Sequence, residues 1–237
     1  MSKHSRFAGL FAVALLATIQ VTSASLKDKP KPSLALKPCE IRGAKDAKCG
    51  TLEVFENRAS RKGRKIPLNI LVLPATGQTR GPDPLFYFVG GPGSAATEDA
   101  PGIAQILAGV RQHRDLVFVD QRGTGKSNPL NCDLFDLADP QSFFGAFLPL
   151  EAVRKCRQQL EPKADLTLYT TNIAMDDIDD VRAALGYDQI NLMGGSYGTR
   201  AALVYLRRHP KHVRAVVLHG VSPTNQFMPL NFAQDNE

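Results

Sequence analysis

The 237-residue chain has no tryptophan, and only 7% of its residues are aromatic. No ring is interleaved with its two basic stretches, Lys27 to Lys37 and Arg58 to Lys65. Basic segments that bind nucleic acid combine their charge with rings that stack on bases, so these stretches read as solvated surface and no nucleic-acid partner is expected. Long apolar runs are also missing. The run from Phe7 to Ile19 falls short of the roughly 20 residues that a membrane helix needs. It follows Lys3, His4 and Arg6 and leads into Thr22-Ser23-Ala24. That order is a secretory signal peptide over residues 1–24, cleaved after Ala24, with an uncleaved anchor as the alternative. The mature product is therefore expected to be exported, periplasmic or secreted, without a stable membrane anchor.

Nucleotide loops are absent as well. Gly125-Lys126-Ser127 ends like a phosphate loop, but the glycine required five residues earlier is Asp120. A dinucleotide fingerprint beginning Gly123-x-Gly125 fails at Asn128, where its third glycine should fall. A strand followed by a structured turn is the better reading. No internal repeat is present, and no organic cofactor is implied.

Cysteine is scarce: Cys39, Cys49, Cys132 and Cys156 are the only four. No pair has the short spacing of a zinc finger or ribbon, so no metal ligands are assigned. An even count behind a signal peptide points to disulfides. Three pairings are possible, and the local ones, Cys39 with Cys49 and Cys132 with Cys156, are favoured. Losing Lys3 and Arg6 with the signal leaves 27 of the 29 basic residues against 23 acidic, a net of +4. The alternation of Lys and Pro after Ala24 reads as a poorly ordered leader over residues 25–38.

Strand patterns occupy Gly50 to Phe55, Ile66 to Leu73, Pro84 to Val89, Leu116 to Val119, Ile190 to Met193 and Val213 to Leu218. Between them fall helical patterns. Ile103, Ile106, Leu107 and Val110 form one, Glu151 to Leu160 a second. Ala174, Ile178, Val181 and Leu185 form a third, capped by Thr171 or Asn172 and ended by Gly186. Strands alternating with helices imply a mainly parallel sheet with helices on both faces. Asp176, Asp177, Asp179 and Asp180, early in the third helix, read as a solvated acidic face favoured by the helix dipole.

The most informative motif is Gly194-Gly195-Ser196-Tyr197-Gly198, with an apolar strand before it and a helix pattern after it. This is the context of a nucleophile elbow, a sharp turn that lifts a serine hydroxyl above a parallel sheet. An attacking serine needs donors aimed at the oxyanion it creates. One is the amide of the following residue, Tyr197. The other comes from a loop after an earlier strand, and Gly90-Gly91-Pro92-Gly93 supplies such a loop.

Taken with Asp120-Gln121-Arg122-Gly123-x-Gly125-x-Ser127, these motifs in this order resemble the proline iminopeptidase and tripeptidyl aminopeptidase family of α/β-hydrolases. The likeness runs from about Cys39 onward, and only Val89 departs from it, where the family often carries His. The resemblance implies an α/β-hydrolase fold, Ser196 as nucleophile and the amides of Gly91 and Tyr197 as the oxyanion hole. Together with the signal peptide, it implies an exported serine hydrolase that releases short N-terminal pieces from peptides through an acyl-enzyme. An esterase or lipase-like hydrolase acting on small esters is the alternative within enzymes, and a catalytically inactive fragment is the alternative outside them.

The triad in this fold continues with an acid and then a histidine. The 41 residues after Ser196 hold Asp235, Glu237, His209, His212 and His219. His209 reads as a cation at a helix end and His212 as a solvated loop residue. His219, after the strand ending at Leu218, is a weak candidate base with no acid to orient it. Residues 39–237 are thus expected to be the N-terminal portion of an α/β-hydrolase domain, truncated before the last strands and cap.

Overall fold

Seven strands, among the described residues, form one sheet: β1 (Lys37–Pro38), β2 (Lys48–Phe55), β3 (Lys65–Leu73), β4 (Leu85–Phe88), β5 (Leu116–Val119), β6 (Ile190–Gly195) and β7 (Val213–His219). The structure is a computed structural model describing residues 34–134, 141 and 149–225. The strand order is β1-β2-β3-β5-β4-β6-β7. β5, β4, β6 and β7 run parallel, whereas β1, β2 and β3 join antiparallel at one side. The expected parallel sheet is thus the half that carries the elbow.

Alternation along the strands divides the core between the two faces. In β3, Leu68, Ile70 and Val72 enter one apolar cluster, while Leu71 and Leu73 enter the other. All four residues of β5 are buried, as a strand covered on both faces requires. Five helices are described: α1 (Ala96–Ile106), α2 (Ala108–Arg111), α3 (Leu150–Leu160), α4 (Thr171–Ala184) and α5 (Tyr197–Arg208). α1 packs on the face of Leu71 and Phe118 through Ala96 and Ala100. α4 and α5 cover the opposite face with Ala174, Met175, Ile178, Val181, Ala201 and Tyr205.

The third helical stripe is found as read, with one change at its start. Thr170 is the cap, its hydroxyl accepting from the Ile173 amide at 3.4 Å, in place of Thr171 or Asn172. Gly186 follows the helix at φ 83°, a left-handed conformation that favours glycine. The first stripe divides into α1 and α2, and Ile106 is 76% exposed. The buried face there runs instead through Ala96, Ala100 and Leu107, because the helix begins earlier than the large apolar residues suggested.

The expected leader needs correction at residues 34–38. Leu34 and Leu36 pack against the core, the Leu34 amide donates to the Ala184 carbonyl, and Lys37–Pro38 pair with β2. Lys/Pro alternation hid two leucines that pack against the core. Residues 1–24, expected to be a signal peptide, lie outside the described residues, and no helix among those described is long and apolar enough to cross a membrane. Both local disulfides are present, Cys39–Cys49 and Cys132–Cys156.

Candidate active site

β6 ends at Gly195 and α5 begins at Tyr197, so Ser196 is the whole of the turn between them. Its backbone sits at φ 52° and ψ −123°, a region that side-chain-bearing residues seldom occupy. The hydroxyl-bearing residue is exposed. The flanking glycines are explained by close approach rather than by their own dihedrals. A Cβ on Gly194 would stand 2.3 Å from the Gly198 carbonyl oxygen, and one on Gly198 would stand 2.0 Å from that of Phe88. The turn is tied down on both sides. The Ser196 amide donates to the His219 carbonyl at 3.0 Å, and its carbonyl accepts from the Thr199 amide at 2.9 Å and hydroxyl at 2.7 Å.

The glycine loop after β4 lies against this serine. A Cβ on Gly90 would come within 3.3 Å of Ser196 Cβ and 3.8 Å of its Oγ. Gly91, at φ 108°, follows directly, in a conformation suited to a residue without Cβ. A cavity of about 380 Å³ opens beside the turn. All three motifs wall it: Gly90 and Gly93 from the first, Arg122 and Gly123 from the second, and Tyr197 from the elbow. The Tyr197 hydroxyl meets Thr171 Oγ1 at 2.8 Å, which pins the residue whose amide begins α5. Burial pushes the Tyr197 phenol up, against the Thr171 hydrogen bond and the Arg200 charge.

The second motif is the brace of this site. Asp120 is fully buried and accepts from the Asn69 side-chain Nδ2, the Thr97 backbone amide and hydroxyl, and the Lys126 backbone amide. It therefore fastens the turn after β5 to the first turn of α1, which follows the glycine loop. A Cβ on Gly125 would lie 2.3 Å from Asp120 Oδ2, so only glycine fits there. Arg122 is equally buried. It grips Asp177 with two bonds, Nε to Oδ2 at 2.6 Å and Nη2 to Oδ1 at 2.9 Å. Its Nη1 donates to the carbonyls of Glu56 and Leu168 at 2.9 and 3.0 Å. Tyr169 and Thr170, on the far wall of the cavity, are held in place through this contact. Burial, helped by its bond to Glu56, pushes the Tyr169 phenol up to about 12, so it stays protonated.

The acidic run is not a solvated face. Asp177 is 1% exposed and carries both Arg122 and Arg58, and Asp179 pairs with Arg182. Likewise His212 is half-buried, its Nδ1 2.7 Å from Asp179 Oδ1, and His209 Nε2 lies 3.1 Å from Asp176 Oδ1. Their partners are distant in sequence, so local spacing carried no signal for them. Arg58, expected to be solvated, bridges Asp177 and Asp180 for the same reason.

His219 is exposed, at the register position opposite Gly195. Its backbone carbonyl, not its ring, meets Ser196, and among the described residues no side-chain hydrogen bond joins the two. Asp235 and Glu237 lie outside the described residues.

A strand, a strained serine and a helix, with a glycine loop alongside, are the construction of an α/β-hydrolase elbow. Residues 83–236 match the α/β hydrolase fold family, and the chain belongs to it. It is 34% identical over 193 residues to the serine protease Hip1 of Mycobacterium tuberculosis, covering 76% of this chain and 36% of that protein. It is 30% identical over 196 residues to the tripeptidyl aminopeptidase of Streptomyces lividans, covering 75% of this chain and 36% of that protein. Among solved structures, the proline iminopeptidase of Mycobacterium smegmatis aligns with a TM-score of 0.44 at 20% identity, over 70% of this chain and 42% of that one. The chain thus spans about a third of the length of the curated relatives it matches. The resemblance to proline iminopeptidases and tripeptidyl aminopeptidases holds.

Proposed function

We propose that this chain carries the nucleophile and oxyanion hole of an exported serine hydrolase that releases short N-terminal pieces from peptides. The observation that carries this reading is the exposed, strained Ser196 set against the Gly90–Gly93 loop. Ser196 Oγ adds to the carbonyl carbon of the scissile amide while a base takes its proton. The negative charge that develops on the carbonyl oxygen is met by the amides of Gly91 and Tyr197, the latter at a helix N-terminus whose dipole favours it. Collapse breaks the C–N bond, the departing amine takes up the proton, and water hydrolyses the ester left on Ser196. Peptide chemistry is favoured over small esters by the relatives the chain resembles, a serine protease and a tripeptidyl aminopeptidase. Export is supported by the two disulfides.

One observation favours a non-catalytic reading of this chain by itself: Ser196 Oγ has no histidine partner among the described residues. A fluorophosphonate probe separates the two. Labelling at Ser196, lost in Ser196→Ala, is the expected result. No labelling of the folded chain would sink the catalytic reading, and loss of labelling in His219→Ala would make His219 the base. Aminoacyl-amide and short acyl-ester substrates, assayed in parallel, divide peptidase from esterase.

A further inference from the structure

α4 and the end of α5 meet in a cluster unrelated to the serine. Asp179 comes from α4, His209 ends α5, and His212 closes the short 3-10 turn Pro210–His212. One donor atom from each lies within 4.8 Å of the other two. The imidazoles of His209 and His212 are stacked, 7° from parallel with centroids 6.1 Å apart.

The hydrogen bonds sort the nitrogen atoms. His209 Nε2 faces Asp176 Oδ1 at 3.1 Å, so a proton placed there leaves the Nδ1 lone pair pointing at Asp179 Oδ2, 3.7 Å away. A carboxylate that takes the far N–H of an imidazole is the arrangement that orients a metal-bound histidine and raises its basicity. Asp179 is similarly divided. Its Oδ1 is loaded by Arg182, Tyr205 and His212, while its Oδ2 receives only a long 3.3 Å bond from Arg182. Four ligands placed tetrahedrally at about 2.1 Å stand about 3.4 Å from one another. The 3.7 Å pair is already close to that spacing. His212 Nδ1 now meets Asp179 Oδ1 at 2.7 Å, so metal binding exchanges that hydrogen bond for the ion and releases its proton.

We propose that Asp179 Oδ2, His209 Nδ1 and His212 Nδ1 form a binding site for a borderline divalent metal ion, zinc being the best fit. Two imidazoles and one carboxylate suit zinc over magnesium or calcium, which take oxygen donors. A fourth position is left for water. Arg182, bonded to Asp179, and Arg208, bonded to the neighbouring Asp176, stand close by, so binding is weaker than at a closed four-ligand site. The ion has a structural role. α5 has 12 residues and spans about 18 Å, which puts the cluster at the opposite end of the helix from Ser196. Metal there would cross-link α4 to the corner between α5 and β7. This site is independent of the hydrolase reading.

The test is zinc titration of the full, chelator-stripped chain by calorimetry, with melting followed in parallel. We expect one equivalent bound, with a Kd on the order of 10 µM. Zinc at ten times Kd should raise Tm by about 3 °C. Magnesium and calcium should do neither. The His209→Gln/His212→Gln double variant should lose the saturable binding, and Asp176→Asn, which keeps all three donors, should weaken it about tenfold. Undiminished binding in the double variant would overturn the site and assign the zinc elsewhere, and a calcium response equal to that of zinc would overturn the metal class. Should the double variant fail to fold, cobalt absorption of the unaltered chain decides: visible bands displaced by zinc support the site, and their absence refutes it.

Discussion

Ser196 holds a conformation that costs a residue with a side chain about 1–3 kcal/mol. It is kept there by what surrounds it. The His219 carbonyl fixes its amide, Thr199 fixes its carbonyl, and Gly194 and Gly198 let the backbones close. A side chain at this turn stands clear of both its strand and its helix, at the expense of local stability. Ser196→Gly relieves the strain, since φ 52° is open to glycine. It should stabilise the fold by about 1 kcal/mol, a Tm rise of about 2–4 °C by scanning calorimetry. An unchanged or lower Tm would show that the turn is not strained.

Two ion-pair devices join elements that the chain order separates. Arg122, in the turn after β5, is fastened to Asp177 of α4, and both side chains are almost fully buried. Removing one partner of a buried pair costs about 3–5 kcal/mol where nothing else meets the charge left behind. Arg58 still pairs with Asp177, so the lower end of that range applies here. Arg122→Met should therefore destabilise by that amount in urea unfolding, and adding Asp177→Leu should recover part of the loss. A double variant with simply additive losses would deny the pairing. The second device is Asp83, just before β4, which accepts from Asn191 of β6 and pairs with Arg114 and Arg214. Burial works against its charged form, but the bonds from Arg114 and Asn191 and the two guanidinium charges outweigh it and hold the carboxyl below its ordinary 3.8. A carboxyl depressed on folding adds stability that is complete above its unfolded value and lost as pH falls through the lower folded one. Asp83→Asn should cost about 1–3 kcal/mol at neutral pH. It should also flatten the fall in stability below pH ~4 seen in urea melts of the parent. The same slope in parent and variant would remove Asp83 from acid unfolding.

At the scale of the molecule, the covering of the sheet is uneven among the described residues. Among the described residues β7 is the last strand of the order, paired on one side only with β6. Val217 on β7 is 53% exposed and Val221 beyond it 55%. A parallel strand with an open edge and apolar side chains invites other strands to pair. The polypeptide alone should associate as its concentration rises, and Val217→Lys should reduce that association in light scattering coupled to size exclusion. A monomer at every concentration would count against an open edge.

Much of this protein was readable along the chain. Six strands, the α4 stripe and the elbow follow from spacing and punctuation, because period-two and period-3.6 burial are local properties. Gly194, Gly198 and Gly125 are visible as motif letters, though the carbonyls and the carboxylate they make room for are not. Only tertiary packing decided where the buried charges Asp177 and Arg122 go. Asp177 meets Arg122 across 55 residues and Arg58 across 119, so nothing near it in the sequence marks it as buried. The convergence of Asp179, His209 and His212 has the same origin: two helices laid side by side bring together side chains that no local pattern relates. Periodicity specifies which face of an element turns inward; the partner it finds there depends on how the elements stack.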